Sequence, residues 1–250
     1  MISLKRVHGA FDYVRHAGPV HHWRCVSGEC PHCGASHFVV LRPDPFFTRC
    51  VKCKATVVNL SVIWAVQRNV AGLQDKAAYE MSTYGSTYSF LKRSCGEFSC
   101  SEFIPGRQSG EWVDGVRNED AQQLSFADES FDIVTSNQVF EHVPDDLAAY
   151  RECQRTLKPG GVLIFTVPLY NTAATEQVAV VRDGAIHWLS TPEFHGSRAT
   201  GPNSVPVFWR FSMNDIGDRV GLCGFRAVSL LKVVMVPKQV VPQPVIYAVK

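Results

Sequence analysis

Two apolar stretches decide the fold, FDIVTS at residues 131–136 and VLIFTV at residues 162–167. Each is short and rich in β-branched and aromatic residues, which is typical of a buried strand. Between them, residues 147–157 place apolar side chains at the 3.6-residue spacing of a helix. KPGG at residues 158–161 supplies a proline and two glycines, so we expect the helix to end there with a glycine C-cap. Strand, helix and strand in this order predict a βαβ unit of a parallel sheet.

Further elements are predicted on both sides of this unit. Residues 57–70, VVNLSVIWAVQRNV, have helical spacing and predict a connecting helix packed on the main domain. Residues 219–224 resemble the end of a helix followed by a capping glycine. Residues 225–236 and 244–250 predict a final antiparallel pair of strands.

Composition and charge limit the class of protein. With 250 residues, 46% of them apolar and 19% charged, the chain can form one large α/β domain and a small appendage. The formal charge of +2 and the absence of a Lys/Arg-rich run make nucleic acid a less favoured partner. No apolar run approaches the roughly 20 residues of a membrane span, and residues 1–17 lack the apolar core of a signal peptide. We therefore expect a cytoplasmic protein with no membrane partner, and the sequence does not indicate its oligomeric state.

The cysteines are clustered near the N-terminus. Cys30 and Cys33 form one C-x-x-C pair, Cys50 and Cys53 form a second, and sixteen residues separate the pairs. Two such pairs supply the four thiolates that structural zinc favours, and the predicted strand at 37–42 between them resembles a zinc ribbon. A closed four-thiolate shell has no open position for substrate, so the role expected of zinc is structural. Reduced structural thiols and a thioredoxin-type redox pair are the alternatives.

Three linked motifs resemble one enzyme family. DAQQLSFADESFDIV at residues 120–134, VFEHVPD at 139–145 and RTLKPGG at 155–161 together resemble the class I S-adenosylmethionine-dependent methyltransferases of the type 11 kind. The resemblance spans roughly residues 78–167, and the fold that it implies continues to residue 250. It implies a Rossmann-like, mostly parallel sheet with an antiparallel C-terminal strand.

The predicted organisation has three parts. Residues 1–56 form the zinc-ribbon-like unit, residues 57–76 the connecting helix, and residues 77–250 the methyltransferase domain, with a substrate-side insert at about 168–214.

The resemblance also implies a cofactor loop after the first strand of that domain. Glu80 matches its acidic start, whereas Ser82 and Tyr84 stand where the family carries glycine, and only Gly85 remains. Tyr84 is expected to be costly there if its backbone must adopt a positive φ. Glu102 lies 22 residues after Glu80, near the offset at which an acidic side chain binds ribose hydroxyls. The alternatives are a solvent-facing Glu102, and a helix over residues 80–85 in place of the loop.

Further cofactor contacts are implied after the third and fourth strands. Asp120 and the backbone of Ala121 would face the adenine, and Ser136 and Asn137 would face the methionine moiety. Asp120 could instead be a turn residue, and Asn137 could cap the next helix.

Histidines provide the catalytic candidates. His142 follows the fourth strand and His195 lies in the insert, and either could act as the general base for methyl transfer. A structural role for the Glu141-His142 pair is the alternative. Three functions remain open: a methyltransferase acting on a small molecule or glycan precursor, an RNA methyltransferase, and a scaffold that has lost the cofactor.

Overall fold

The computed structural model describes residues 23–197, 201–236 and 243–250. The prediction that residues 1–17 lack the apolar core of a signal peptide concerns residues outside these ranges.

The elements follow one another in this order. The N-terminal unit contains β1 (Arg24–Ser27), β2 (His37–Val40) and β3 (Thr48–Cys50), and is followed by α1 (Val57–Asn69). The central part contains β4 (Ala77–Glu80), α2 (Gly85–Ser94), β5 (Glu97–Cys100), β6 (Trp112–Val113), β7 (Val116–Arg117), β8 (Phe131–Asn137), α3 (Asp146–Thr156) and β9 (Leu157–Thr166). The insert contains β10 (Leu169–Tyr170), β11 (Glu176–Gln177), β12 (Ala179–Arg182), β13 (Ala185–Trp188), β14 (Phe194–Ser197), β15 (Gly201–Pro206) and β16 (Trp209–Ser212). The chain closes with α4 (Ile216–Gly221), β17 (Ala227–Val233) and β18 (Gln243–Val249), and 3-10 turns lie at Leu73–Asp75 and Phe140–His142.

A central sheet has the strand order β5-β4-β8-β9-β18-β17. The strands β5, β4, β8 and β9 are parallel, whereas β18 and β17 are antiparallel. The register pairs Glu80 with Thr135 and Ile133 with Val162. This is the predicted Rossmann-like sheet, and it brings the carboxyl ends of four parallel strands to one edge.

Each face of the sheet carries its own apolar layer, because side chains alternate along a strand. On one face Tyr79, Val134 and Phe165 pack with α3 and α4. On the other face Ala78, Ile133 and Ile164 pack with α1, α2 and the N-terminal unit. The helix predicted at 57–70 is confirmed as α1, and Thr56 caps it by accepting a hydrogen bond from the backbone N–H of Asn59.

Two sequence predictions about the central part are wrong. The helix α3 ends at Thr156 without a glycine C-cap, because Leu157 is already extended (φ −75°, ψ 141°), is buried, and pairs with Phe131. Gly160, at φ +78°, instead lies within β9, where the pairing with β8 shifts register between Phe131 and Ile133. The third parallel strand expected before Asp120 is reduced, among the described residues, to a single bridge between Glu102 and Asn118.

The insert forms small sheets outside the central one. The strands β10, β16 and β11 form one sheet, while β12 with β13 and β14 with β15 form two hairpins. It is attached beside the end of β8, where the N–H of Phe208 donates to the carbonyl of Glu141 (2.7 Å) and the indole N–H of Trp209 donates to that of Val143 (3.0 Å). Among the described residues no helix has the length and apolar character needed to cross a membrane.

Candidate functional site

The loop between β4 and α2 opens at the carboxyl edge of the sheet. Glu80 is the last residue of β4, residues 81–84 form the loop, and Gly85 begins α2 at φ +95°. The alternative of a helix over residues 80–85 is therefore wrong. Tyr84 has an extended backbone (φ −147°, ψ 174°), so the expected cost of a non-glycine residue does not arise there. Among these residues only Gly85 adopts a positive φ.

Glu80 is buried beneath this loop. Its carboxyl group accepts a hydrogen bond from the hydroxyl of Thr135, the residue opposite it on β8. Burial raises the pKa of Glu80 to about 8, and hydrogen bonds from Thr135 and Asn137 act in the opposite direction. The carboxyl group is thus a buried acceptor under the edge of the sheet, held by two neighbouring strands.

Glu102 connects the two strand ends. It follows β5, and its Oε1 accepts from both the backbone N–H and the hydroxyl of Thr83, each at 2.8 Å. Ser82 Oγ lies 3.5 Å from the same oxygen. Glu102 is therefore not a solvent-facing side chain: it fixes the loop after β4, and its Oε2 has no hydrogen bond to this loop.

The end of β8 supplies further polar groups. Asn137 donates from Nδ2 to Thr87 Oγ1 of α2 (3.0 Å) and accepts at Oδ1 from Thr166 of β9 (3.3 Å). It therefore links three elements, and the cap of α3 is Asp145 instead. Ser136 is fully buried, and its hydroxyl has no hydrogen-bond partner among the described residues.

Asp120 and Ala121 lie two and three residues beyond Asn118, which forms a bridge with Glu102. The carboxylate of Asp120 accepts from the backbone N–H of Gln122 (2.9 Å) and from its side chain (3.0 Å). Asp120 thus stabilises a turn, which was the alternative role considered for it. Its contact with the adenine stays a prediction.

The two catalytic candidates meet although they lie 53 positions apart in the sequence. His142 Nε2 and His195 Nδ1 are 3.3 Å apart, and Oε1 of the fully buried Glu141 lies 3.8 Å from the first and 3.9 Å from the second. Burial lowers the pKa of His142 to about 4, so this imidazole is neutral at pH 7 and is a weak base there. Both carboxylate oxygens of Glu141 lack a hydrogen-bond partner within the described structure.

The four cysteines of the N-terminal unit converge on one point. Cys30 Sγ lies 3.7 Å from Cys53 Sγ, Cys33 Sγ lies 3.5 Å from Cys50 Sγ, and all four sulfurs lie within 4.8 Å of one another. Tetrahedral zinc with Zn–S bonds of about 2.3 Å requires sulfur–sulfur distances of about 3.8 Å. The donor set therefore fits a zinc ion.

Several site residues escaped the sequence interpretation. Thr83 and Thr135, which bind the two acidic side chains, were not singled out, although pairing the strand ends would have placed Thr135 opposite Glu80. Nothing in the sequence indicated that Pro206 would contact His142, because that contact depends on how the insert folds back.

Comparison with known proteins finds similarity to methyltransferases over part of the chain. Residues 100–165 match the family model described as a methyltransferase domain. This 66-residue segment is therefore similar to a methyltransferase domain. The chain is 33% identical, over 126 residues, to a ubiquinone biosynthesis O-methyltransferase of Cereibacter sphaeroides, and the match covers 50% of each chain. It is 35% identical over 95 residues to malonyl-[acyl-carrier protein] O-methyltransferase 1 of Coxiella burnetii, covering 38% of this chain and 27% of that one.

The chain therefore spans half or less of the length of these curated relatives. Among solved structures, an S-adenosylmethionine-dependent methyltransferase of Mesorhizobium loti matches with 15% identity and a TM-score of 0.49, over 77% of this chain and 100% of that one.

Proposed function

We propose that this chain is an S-adenosylmethionine-dependent methyltransferase that acts on an oxygen of a small-molecule acceptor. The observation that carries the proposal is the loop between β4 and α2, where Glu102 holds Thr83 and a glycine with positive φ begins the helix. The methyltransferase-like segment at residues 100–165 contains Glu102 itself. The relatives named O-methyltransferases support oxygen as the accepting atom.

The residues present fit the cofactor. Its ribose would bind at Glu102, its methionine moiety beside Ser136 and Asn137, and its adenine beside Asp120 and Ala121. The buried hydroxyl of Ser136 has no partner in the described structure, and a ligand at this edge would satisfy it. Glu80, Ser82 and Gly85 would shape the loop that faces the cofactor.

The chemistry requires little of the protein besides alignment. S-Adenosylmethionine supplies an electrophilic methyl group on a sulfonium sulfur. The chain has to orient the acceptor, exclude water and promote loss of the acceptor's proton. The cluster of Glu141, His142 and His195 is our candidate for the acceptor side, because it follows β8 at the same edge of the sheet and is covered by the insert.

Calorimetric titration tests the cofactor site. S-Adenosylmethionine, and separately its demethylated product, is titrated into zinc-loaded protein, and we expect micromolar binding. Glu102→Ala should weaken it more than about tenfold, the cost of losing one charge-assisted hydrogen bond. Glu97→Ala, at the exposed first residue of the preceding strand β5, is the matched control and should bind normally.

A second variant separates the two roles of Glu102. Glu102→Gln keeps an oxygen for Thr83 but loses the negative charge. If Gln restores affinity, Glu102 acts by fixing the loop; if affinity stays low, Glu102 binds the ribose directly. Absence of binding by the folded wild-type protein would refute the proposal and favour a scaffold that has lost the cofactor.

We also propose that Cys30, Cys33, Cys50 and Cys53 hold a structural zinc ion. The sulfur–sulfur distances and the soft donor set support it. Elemental analysis of the purified protein should find at least one zinc per chain, and this zinc should be lost in a Cys50→Ser variant.

A further inference from the structure

A second cluster of ligand atoms lies at the acceptor side of the site. His142 Nε2, His195 Nδ1 and a carboxylate oxygen of Glu141 lie within 4.8 Å of one another. The first two residues come from the turn after β8 and from β14, respectively, so the insert completes the cluster. The geometry points to a divalent-cation site of two histidines and one carboxylate.

The distances match those that such an ion imposes. Zinc binds histidine nitrogen at about 2.0–2.1 Å, so two nitrogens of a tetrahedral site lie about 3.3–3.4 Å apart. The observed separation of His142 Nε2 and His195 Nδ1 is 3.3 Å. Glu141 Oε1, at 3.8 and 3.9 Å from these nitrogens, would reach the ion by a small side-chain rotation.

Both histidines are oriented as metal ligands usually are. A ligating imidazole commonly donates its other N–H to a carbonyl or carboxylate, which fixes the tautomer and the ring. His142 Nδ1 lies 2.7 Å from the carbonyl of Pro206, and since a carbonyl only accepts, Nδ1 carries the proton and Nε2 presents its lone pair. His195 Nε2 lies 3.5 Å from Glu193 Oε1, which leaves Nδ1 for the ion.

The burial of Glu141 supports the metal site independently of the distances between the ligand atoms. Its side chain is fully buried, yet neither carboxylate oxygen has a hydrogen-bond partner among the described residues. An unpartnered buried carboxylate costs free energy unless a cation compensates it. Glu193, the other nearby carboxylate, is already paired with Arg210 at 2.8 Å.

The ion would have an open position, since three protein ligands leave a fourth for water or substrate. At this place it would bind an oxygen of the methyl acceptor and lower the pKa of that hydroxyl, whose proton would pass to water. The acceptor class is therefore a molecule with an ionisable hydroxyl that can coordinate a metal. This role rests on the proposed function, whereas the existence of the site does not.

Metal titration tests the site without any measurement of activity. Protein carrying one equivalent of zinc is titrated calorimetrically with Co²⁺, and the absorption spectrum is recorded. We expect one further equivalent to bind without the sulfur-to-cobalt absorption that a thiolate site gives. His142→Ala, His195→Ala and Glu141→Gln should each lose it, while His187→Ala, an exposed histidine of β13, should keep it.

The outcomes separate this inference from the proposed function. If wild-type protein binds no second equivalent, or if all three ligand variants retain it, the site is refuted even where S-adenosylmethionine binds normally. If the ion binds and the cofactor does not, the site stands and its role in methyl transfer is refuted. Circular dichroism of each variant shows that a lost equivalent does not reflect unfolding.

Discussion

At the scale of single residues, Glu80 gives this site a dependence on pH. Its pKa is raised by burial to about 8 from an ordinary value near 4.5. Between pH 4.5 and about 8 the folded protein therefore keeps the Glu80 proton, whereas the unfolded chain has lost it. The stability of the folded state is fully present below pH 4.5 and falls as pH rises to about 8.

We expect Glu80→Gln to remove this dependence. Near pH 4.5 the variant and the wild type should be similarly stable, and above pH 8 the variant should be more stable by up to several kcal/mol, at about 1.4 kcal/mol per pKa unit. Urea unfolding at several pH values measures the difference, with Glu97→Gln as the exposed control. Parallel stability curves for wild type and Glu80→Gln would contradict the assignment.

The loop between β4 and α2 allows two predictions about glycine. Gly85→Ala should destabilise the protein by about 1 kcal/mol or more, because a residue with a Cβ is strained at φ +95°. A steric clash does not contribute, since an added Cβ would meet no atom closer than 3.9 Å. Tyr84→Gly, which introduces the residue usual in class I methyltransferases, should not raise the affinity for S-adenosylmethionine, because Tyr84 is already extended. A tighter Tyr84→Gly variant in calorimetry would show that the loop is strained.

At the scale of elements, one partly buried ion pair joins α3, α4 and the insert. The guanidinium of Arg219 donates to both carboxylate oxygens of Asp146, at 2.6 and 2.7 Å, and lies 4.3 Å from the centre of the Trp209 ring. Asp146 is completely buried at the start of α3. Removing Arg219 would leave that charge without compensation.

We therefore expect Arg219→Ala to cost about 3–5 kcal/mol of unfolding free energy. The double variant Arg219→Met, Asp146→Leu should recover most of the loss, because it removes both charges and keeps the volume. Arg226→Ala, at an exposed position, should change stability by less than about 0.5 kcal/mol. Denaturant titration distinguishes these cases, and equal effects at the two arginines would overturn the interpretation.

At the scale of the whole molecule, the four-cysteine unit and the sheet share one apolar cluster. Cys30, Cys50 and Phe38 pack with α1 and with the sheet residues Ile133 and Ile164. Loss of the proposed zinc would therefore loosen one face of the central sheet as well as the N-terminal unit.

Cys50→Ser should accordingly lower the melting temperature of the entire chain by more than about 10 °C, since a zinc site contributes about 10 kcal/mol and each kcal/mol corresponds to about 2–4 °C at this size. Cys25→Ser, at an exposed cysteine outside the cluster, should leave it unchanged. Differential scanning calorimetry with and without a chelator provides the measurement. Two independent transitions, with only the smaller one affected, would show that the units are uncoupled.

The sequence allowed the sheet to be predicted better than the site. Phe131–Asn137, α1 and the final antiparallel pair were predictable because apolar periodicity is local and each pattern fills one face of a strand or helix. The predicted end of α3 was wrong because Leu157 is buried as part of the sheet, so the helix ends before it reaches the glycines. The contact between His142 and His195 was not predictable, because it depends on the register of short insert strands that carry little periodic signal.

The apolar cluster shared by the four-cysteine unit and the central sheet also has a consequence in a living cell. If the proposed zinc ion stabilises the apolar cluster that packs against the central sheet, scarcity of the metal in the growth medium would shorten the protein's lifetime through proteolysis. Activity per cell would then fall in proportion to abundance, while turnover by each surviving molecule stayed constant.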